Sequence, residues 1–155
     1  MSKVDKYVAL IPQIQSVLAG ETDEIARMSN LAALLHFEFG FWWTGFYRVV
    51  STDELVLGPF QGPVACTRIK KGRGVCGTSW SEERTLVVPD VEQFPGHIAC
   101  SSESRSEIVV PCRKSGQIVA VLDIDSKELA AFDEVDKEYL EQIVSMLYGE
   151  ECHME

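Results

Sequence analysis

The segment from Ser106 to Asp125, SEIVVPCRKSGQIVAVLDID, constrains the fold more than any other. Two runs rich in Ile and Val flank the polar RKSG, which reads as a β-hairpin. Side chains alternate between the two faces of a strand. In the second run Ile118, Ala120, Leu122 and Ile124 therefore share one face. Asp123 and Asp125 share the other, at the strand's end. Glu107 begins the strand that pairs with it. Three carboxylates can thus converge near one end of the hairpin. A polar strand end in water produces the same pattern, so the alternation alone leaves both readings open.

The rest of the chain supplies layers for this hairpin. Leu10, Ile14, Val17 and Leu18 recur at helical spacing, and Gly20 closes that helix. A second helix starts near Asp23 and carries Ile25, Met28, Leu31, Leu34 and Leu35. FWWTGFYRVV is aromatic and β-branched and reads as a strand, with Trp43 and Tyr47 on one face. Such aromatics serve a core or line a pocket. STDE is a turn, and LVLGPFQGPVACTRI a second extended region broken by Gly and Pro. KKGRGVCGTSWSEE reads as a glycine loop opening a short helix, and TLVVPDV as a short strand. Asp90 to Ser104 shows no period, and a loop of that length in a small domain points to function or disorder. The last helix, in FDEVDKEYLEQIVSMLYG, has Asp133 as its N-cap. This order predicts one α+β domain: a largely antiparallel sheet, with N- and C-terminal helices packed on one face.

Composition narrows the function. The 155 residues are long enough for one proper core. No apolar run approaches the ~20 residues of a membrane span, and the N-terminus lacks a secretory layout. A cytoplasmic protein is expected. The net charge of −10 argues against nucleic acid and anionic membranes as partners.

Five cysteines, Cys66, Cys76, Cys100, Cys112 and Cys152, are an odd count. In a cytoplasmic chain they suggest buried thiols, a metal site or redox chemistry rather than structural disulfides. Zinc sites favour close pairs such as C-x-x-C. Here only HIAC (His97 to Cys100) and the terminal CHME (Cys152 to Glu155) bring His and Cys together, so no metal is expected. Cys112 lies opposite Glu107 in parity and reads as a buried, inert thiol. Cys66 closes an extended region and Cys100 sits in the aperiodic loop. GRGVCG (Gly72 to Gly77) matches G-x-G-x-x-G, but the charged TRIKK before it does not supply the buried strand of a dinucleotide site. The helix it opens could hold an anion such as a carboxylate and would favour the thiolate of Cys76. His36 reads as structural, His153 as part of the tail, and His97 as a possible neighbour of Cys100.

VACTRIKKGRGVCGTSW, VEQFPGHIACSSESRSEIVVP and GQIVAVLDIDS together resemble the free methionine-(R)-sulfoxide reductases, single GAF-domain enzymes. The resemblance implies one GAF domain over 1–155, with 149–155 as a flexible tail and an active-site loop region on the sheet face away from the helices. It implies Cys100 as the nucleophile, Cys66 as the main resolving cysteine and Cys76 as a third redox-linked cysteine. Glu107, Asp123 and Asp125 would hold the substrate, with Trp43 and Tyr47 around its methyl end. The implied reaction reduces free L-methionine (R)-S-oxide through a sulfenic acid and an intramolecular disulfide. Thioredoxin would recycle the enzyme as reductant, with no metal or organic cofactor and with a homodimer possible. The competing reading is a non-catalytic GAF sensor of a small molecule or of redox state.

Overall fold

The computed structural model describes residues 1–96 and 103–148. Helix α1 (Lys3–Leu18) starts at Ser2, which forms a capping box with Asp5. It buries Tyr7, Leu10, Ile14 and Leu18. Helix α2 (Glu24–Phe39) starts at Asp23, whose carboxylate accepts from the Ala26 N–H, and ends at Gly40 in the left-handed region. Val17 and Ile25, placed by spacing on the core faces, are 39% and 46% exposed. Met28 is buried as expected, and the stripes are completed by Tyr7 in α1 and Ala32 in α2.

Strands β1 (Trp43–Val49), β2 (Glu54–Gln61), β3 (Arg68–Lys70), β4 (Leu86–Val88), β5 (Ser106–Lys114) and β6 (Gln117–Ser126) form one sheet of order β3-β2-β1-β6-β5-β4. Every neighbouring pair is antiparallel. Helix α3 (Gly74–Glu82) lies between β3 and β4 in the chain, and α4 (Glu134–Ser145) follows β6. The predicted hairpin is present, turned by Ser115 and Gly116 at φ 54° and 82°, the twist that suits a two-residue loop. Its strands run further than the hydrophobic runs suggested.

One detail of the hairpin departs from simple alternation. Arg113 pairs with Ile118, but Cys112 pairs with Ala120, so the register slips by one residue. A one-residue slip moves side chains to the opposite face. Ile118 accordingly packs with the core on one side of the sheet, whereas Ala120, Leu122 and Ile124 belong to the other.

The sheet separates two cores. On one side α1, α2 and α4 cover Phe46, Ile108, Val110, Cys112, Leu122 and Ile124. Buried Asp136, at the start of α4, accepts from Tyr7 Oη and Lys3 Nζ, each at 2.6 Å, and ties α1 to α4. On the other side α3 covers Val109, Val121, Trp43 and Tyr47. The aperiodic stretch after β4 opens with a single 3₁₀ turn (Val91–Gln93). None of the helices is long and apolar enough to cross a membrane among the described residues.

Candidate active site

The pairing of three strands builds the site. Glu107 in β5 faces Asp125 in β6, and Asp123 lies opposite Val109. On the other edge of β6, Asp125 faces Trp43 and Asp123 faces Gly45 in β1. Residues directly opposite share a face of the sheet. One face therefore gathers Glu107, Asp123, Asp125 and Trp43, and Tyr47 joins them four residues along β1. This is the face that α3 covers. It brings Cys76 in from above: ligand atoms of Cys76, Glu107 and Asp123 lie within 4.8 Å of one another.

Gly45 leaves room for this arrangement. A Cβ there would collide with Phe60 and with the ring of Trp43. Trp43 stacks on Phe60 at 5.2 Å and on Tyr47 at 5.9 Å between ring centroids, forming an apolar wall. The polar ends of both pocket aromatics hold the β2–β3 connection. Trp43 Nε1 donates to the Pro63 carbonyl at 3.0 Å, and Tyr47 Oη donates to the Cys66 carbonyl at 2.8 Å. Cys66 thus lies in a loop pinned to the pocket wall rather than at a strand end. Cys66 is disulfide-bonded, whereas Cys76 and Cys112 are free thiols.

Crowding three carboxylates in a buried place opposes their ionisation. Burial first, then Asp123 and Asp125, push the Glu107 carboxyl well above the usual carboxylate range. Burial and Asp123 push Asp125 the same way, partly offset by the Ser104 hydroxyl, which donates to Asp125 Oδ1 at 3.3 Å. Burial raises the Tyr47 phenol too, with Asp123 adding to it. The same two effects raise the Cys76 thiol, burial first and Asp123 next. The thiolate expected for Cys76 at a helix start is therefore overturned. Cys76 does sit in the first turn of α3. Desolvation and three acids outweigh the helix dipole there.

The cavity between these walls contains ≈ 540 Å³ of empty space, part of it open to solvent. Besides the predicted residues, Ser104, Val64, Arg73 and Val75 line it. None of the four was foreseen individually, although Ser104 stands in the aperiodic loop and Arg73 in the glycine motif. Cys76, Glu107 and Asp123 also form a donor set that a divalent ion could use. Two predicted residues fall elsewhere. Cys112 is fully buried on the helix side, and His36 Nδ1 meets Thr44 Oγ1 at 3.0 Å, a structural contact. His97, Cys100, Cys152 and His153 lie outside the described residues.

Residues 13–148 match the GAF domain family, and the chain belongs to it. Three similar proteins place it more narrowly. A protein of Dictyostelium discoideum named GAF domain-containing protein A is 59% identical over 146 residues, covering 94% of this chain and 92% of that protein. The free methionine-R-sulfoxide reductase of Escherichia coli is 44% identical over 148 residues, covering 95% and 89%. The solved free methionine-R-sulfoxide reductase of Neisseria meningitidis, described in complex with its substrate, is 53% identical. It covers 97% of this chain and 90% of its own, with a TM-score of 0.94. Within the GAF family the chain sits among the free methionine-R-sulfoxide reductases.

Proposed function

We propose that the protein reduces free L-methionine (R)-S-oxide to L-methionine with its own thiols. The observation that carries this reading is the meeting of Glu107, Asp123 and Asp125 with the Trp43–Tyr47 wall in one cavity. Acids with raised pKa supply protons, and the cluster also suits a cationic ammonium group. The aromatic wall suits the methyl end of the side chain. The Escherichia coli and Neisseria meningitidis proteins named above carry this activity in their names.

In the proposed reaction the Cys100 thiolate attacks the sulfoxide sulfur. An acid of the cluster protonates the oxygen, and the resulting hydroxyl passes from the substrate sulfur to the Cys100 sulfur as the transient sulfur–sulfur bond breaks. Methionine leaves, and Cys100 is oxidised to a sulfenic acid. The Cys66 thiol then attacks that sulfur, releasing water and leaving a Cys66–Cys100 disulfide. A dithiol of the thioredoxin type returns both to thiols. Cys100 precedes Ser104, a wall residue, by four positions, and four residues of chain span at most about 14 Å. The bonded state of Cys66 supports its resolving role. Cys76, held protonated among the acids, is poorly suited to attack. A soluble, cytoplasmic enzyme working alone or as a homodimer fits this reading.

The test is a thioredoxin-coupled assay on the separated epimers. Turnover of the free (R) epimer, lost in Cys100→Ser, is the expected result. Stabilisation by ligand with no turnover would instead mark a non-catalytic sensor.

A further inference from the structure

Cys66 is disulfide-bonded, and neither free thiol among the described residues is suited to reset that bond. Cys112 is fully buried on the opposite face of the sheet. Cys76 is buried and held protonated among the acids. Opening the bond takes two electrons, which an outside thiol pair can supply. Such a donor has to touch the surface around Cys66.

That surface is the β2–β3 connection, residues 62–67. Gly62, Pro63, Val64 and Thr67 are exposed, while Ala65 and Cys66 are half-buried. Val64 is 87% exposed, more than any other large hydrophobic side chain of the described residues. A single exposed valine is ordinary, but this one stands two residues from a reducible sulfur. The carbonyls of Pro63 and Cys66 are held by Trp43 Nε1 and Tyr47 Oη. Between them the N–H and C=O groups of Val64 and Ala65 bond no other backbone group among the described residues. The loop is thus fixed at two points and open in the middle, where a partner's chain can pair with it. Charge adds to this. Arg68, Lys70, Lys71 and Arg73 follow the loop, and all four are exposed. Asp53 and Glu54 pair with Arg68 and Lys70, whereas Lys71 and Arg73 make no ion pair among the described residues. On a chain of net charge −10 this run is a local basic rim.

We propose that loop 62–67 is the docking surface for a dithiol protein. Val64 is its apolar anchor, the open backbone of Val64 and Ala65 its pairing edge, and Lys71 part of its basic rim. The partner that fits carries its thiol pair in an apolar patch bordered by acidic side chains. Its thiolate attacks the Cys66 sulfur, and the bond from Cys66 to Cys100 breaks. Cys100 leaves as a thiolate and takes up a proton. The partner's second thiol then attacks its own bridged sulfur. Cys66 returns to a thiol, and the partner keeps the disulfide, so two electrons have passed. The inference rests on the proposed reductase cycle, to which it adds the place where the reductant binds.

The experiment follows reduction of the oxidised protein, with no sulfoxide present, by thioredoxin and by dithiothreitol. Val64→Glu should slow thioredoxin by about 10- to 100-fold, the worth of burying one valine. Its rate with dithiothreitol should stay near that of the wild type, because a small dithiol needs no docking surface. Val64→Leu should keep most of the thioredoxin rate. Lys71→Glu should slow thioredoxin less than Val64→Glu and weaken the salt dependence of the rate. A thioredoxin variant without its second thiol should be trapped on Cys66. Equal slowing of both reductants in Val64→Glu would mean a disturbed loop and would overturn the proposal. So would an unchanged thioredoxin rate, a wild type that only dithiothreitol reduces, or trapping on another cysteine. A dimer in sedimentation that Val64→Glu dissociates would mark the loop as a contact between two copies, which also overturns it. The substrate is tested separately: reduction through Val64 without turnover of free methionine (R)-S-oxide sinks the reductase reading and leaves the docking surface standing.

Discussion

Each face of the sheet buries a cluster of apolar side chains, the larger on the helix side, and the two differ in what they bury with it. The helix side holds Phe46, Leu122, Ile124 and the thiol of Cys112 among aliphatic neighbours. The cavity side holds Glu107, Asp123, Asp125 and the thiol of Cys76 beside an aromatic wall. Both thiols are buried and both are raised, Cys112 by burial alone in the main and Cys76 by burial with three acids added. One face is built for stability, the other at its expense. Charges that repel each other in a dry place are tolerated in a protein where they perform chemistry.

The largest expected contrast is between a cavity acid and a core leucine. Glu107→Gln should lower kcat/KM by about 10²- to 10⁴-fold, the range for loss of a general acid. The protein should remain folded, because the substitution keeps the shape and removes a crowded charge. Leu122→Ala should do the reverse. It should cost about 2–5 kcal/mol of stability and leave the kcat/KM of the folded protein near that of the wild type. Urea melts paired with steady-state kinetics measure both. A loss of activity in Leu122→Ala as deep as in Glu107→Gln, at temperatures where it is folded, would erase the distinction between the faces.

A smaller effect follows from the raised carboxyls. Glu107 and Asp125 bind protons more tightly folded than unfolded. Stability from this source is complete below the ordinary carboxylate range and is lost as pH rises through the raised folded values. Substrate-free protein should therefore melt lower as pH climbs above about 4. Glu107→Gln should flatten that slope and gain stability at its upper end. Thermal melts across pH check this, and a slope unchanged in Glu107→Gln would show that Glu107 ionises freely.

The smallest effects concern single contacts. Tyr47→Phe removes the donor to the Cys66 carbonyl and should cost about 1 kcal/mol. It should also slow disulfide formation by loosening the Cys66 loop, which quenched-flow thiol trapping measures. The equivalent change on the helix side, Cys112→Ala, should leave that rate untouched.

Much of this contrast was legible in the sequence, and the reasons differ from place to place. Alternation in LDID set Asp123 and Asp125 apart from Leu122 and Ile124, because a strand's period of two is local. The same rule failed at Ile118, since a bulge depends on how two strands pair. The strand in FWWTGFYRVV was readable, but its place beside β6 was not. That placement, which sets Trp43 against Asp125, follows from the packing of the whole sheet. Cys76 was misread for the same reason. Its helix start is local and visible, whereas the acids across from it come from strands about 30 and 50 residues away in the chain. Arg73 looked like part of a turn, and only the folded chain shows that it lines the same cavity as the acids.

Single turnover of the reduced protein, with no external reductant, tests the central claim most directly. Reduced enzyme is mixed with free methionine (R)-S-oxide, quenched and alkylated, and the methionine and each thiol are counted. The account predicts about one methionine per chain and a disulfide joining Cys66 to Cys100, with Cys76 and Cys112 still alkylated. Methionine formed while Cys66 and Cys100 stay free, or at the expense of Cys112 on the helix side, would contradict it.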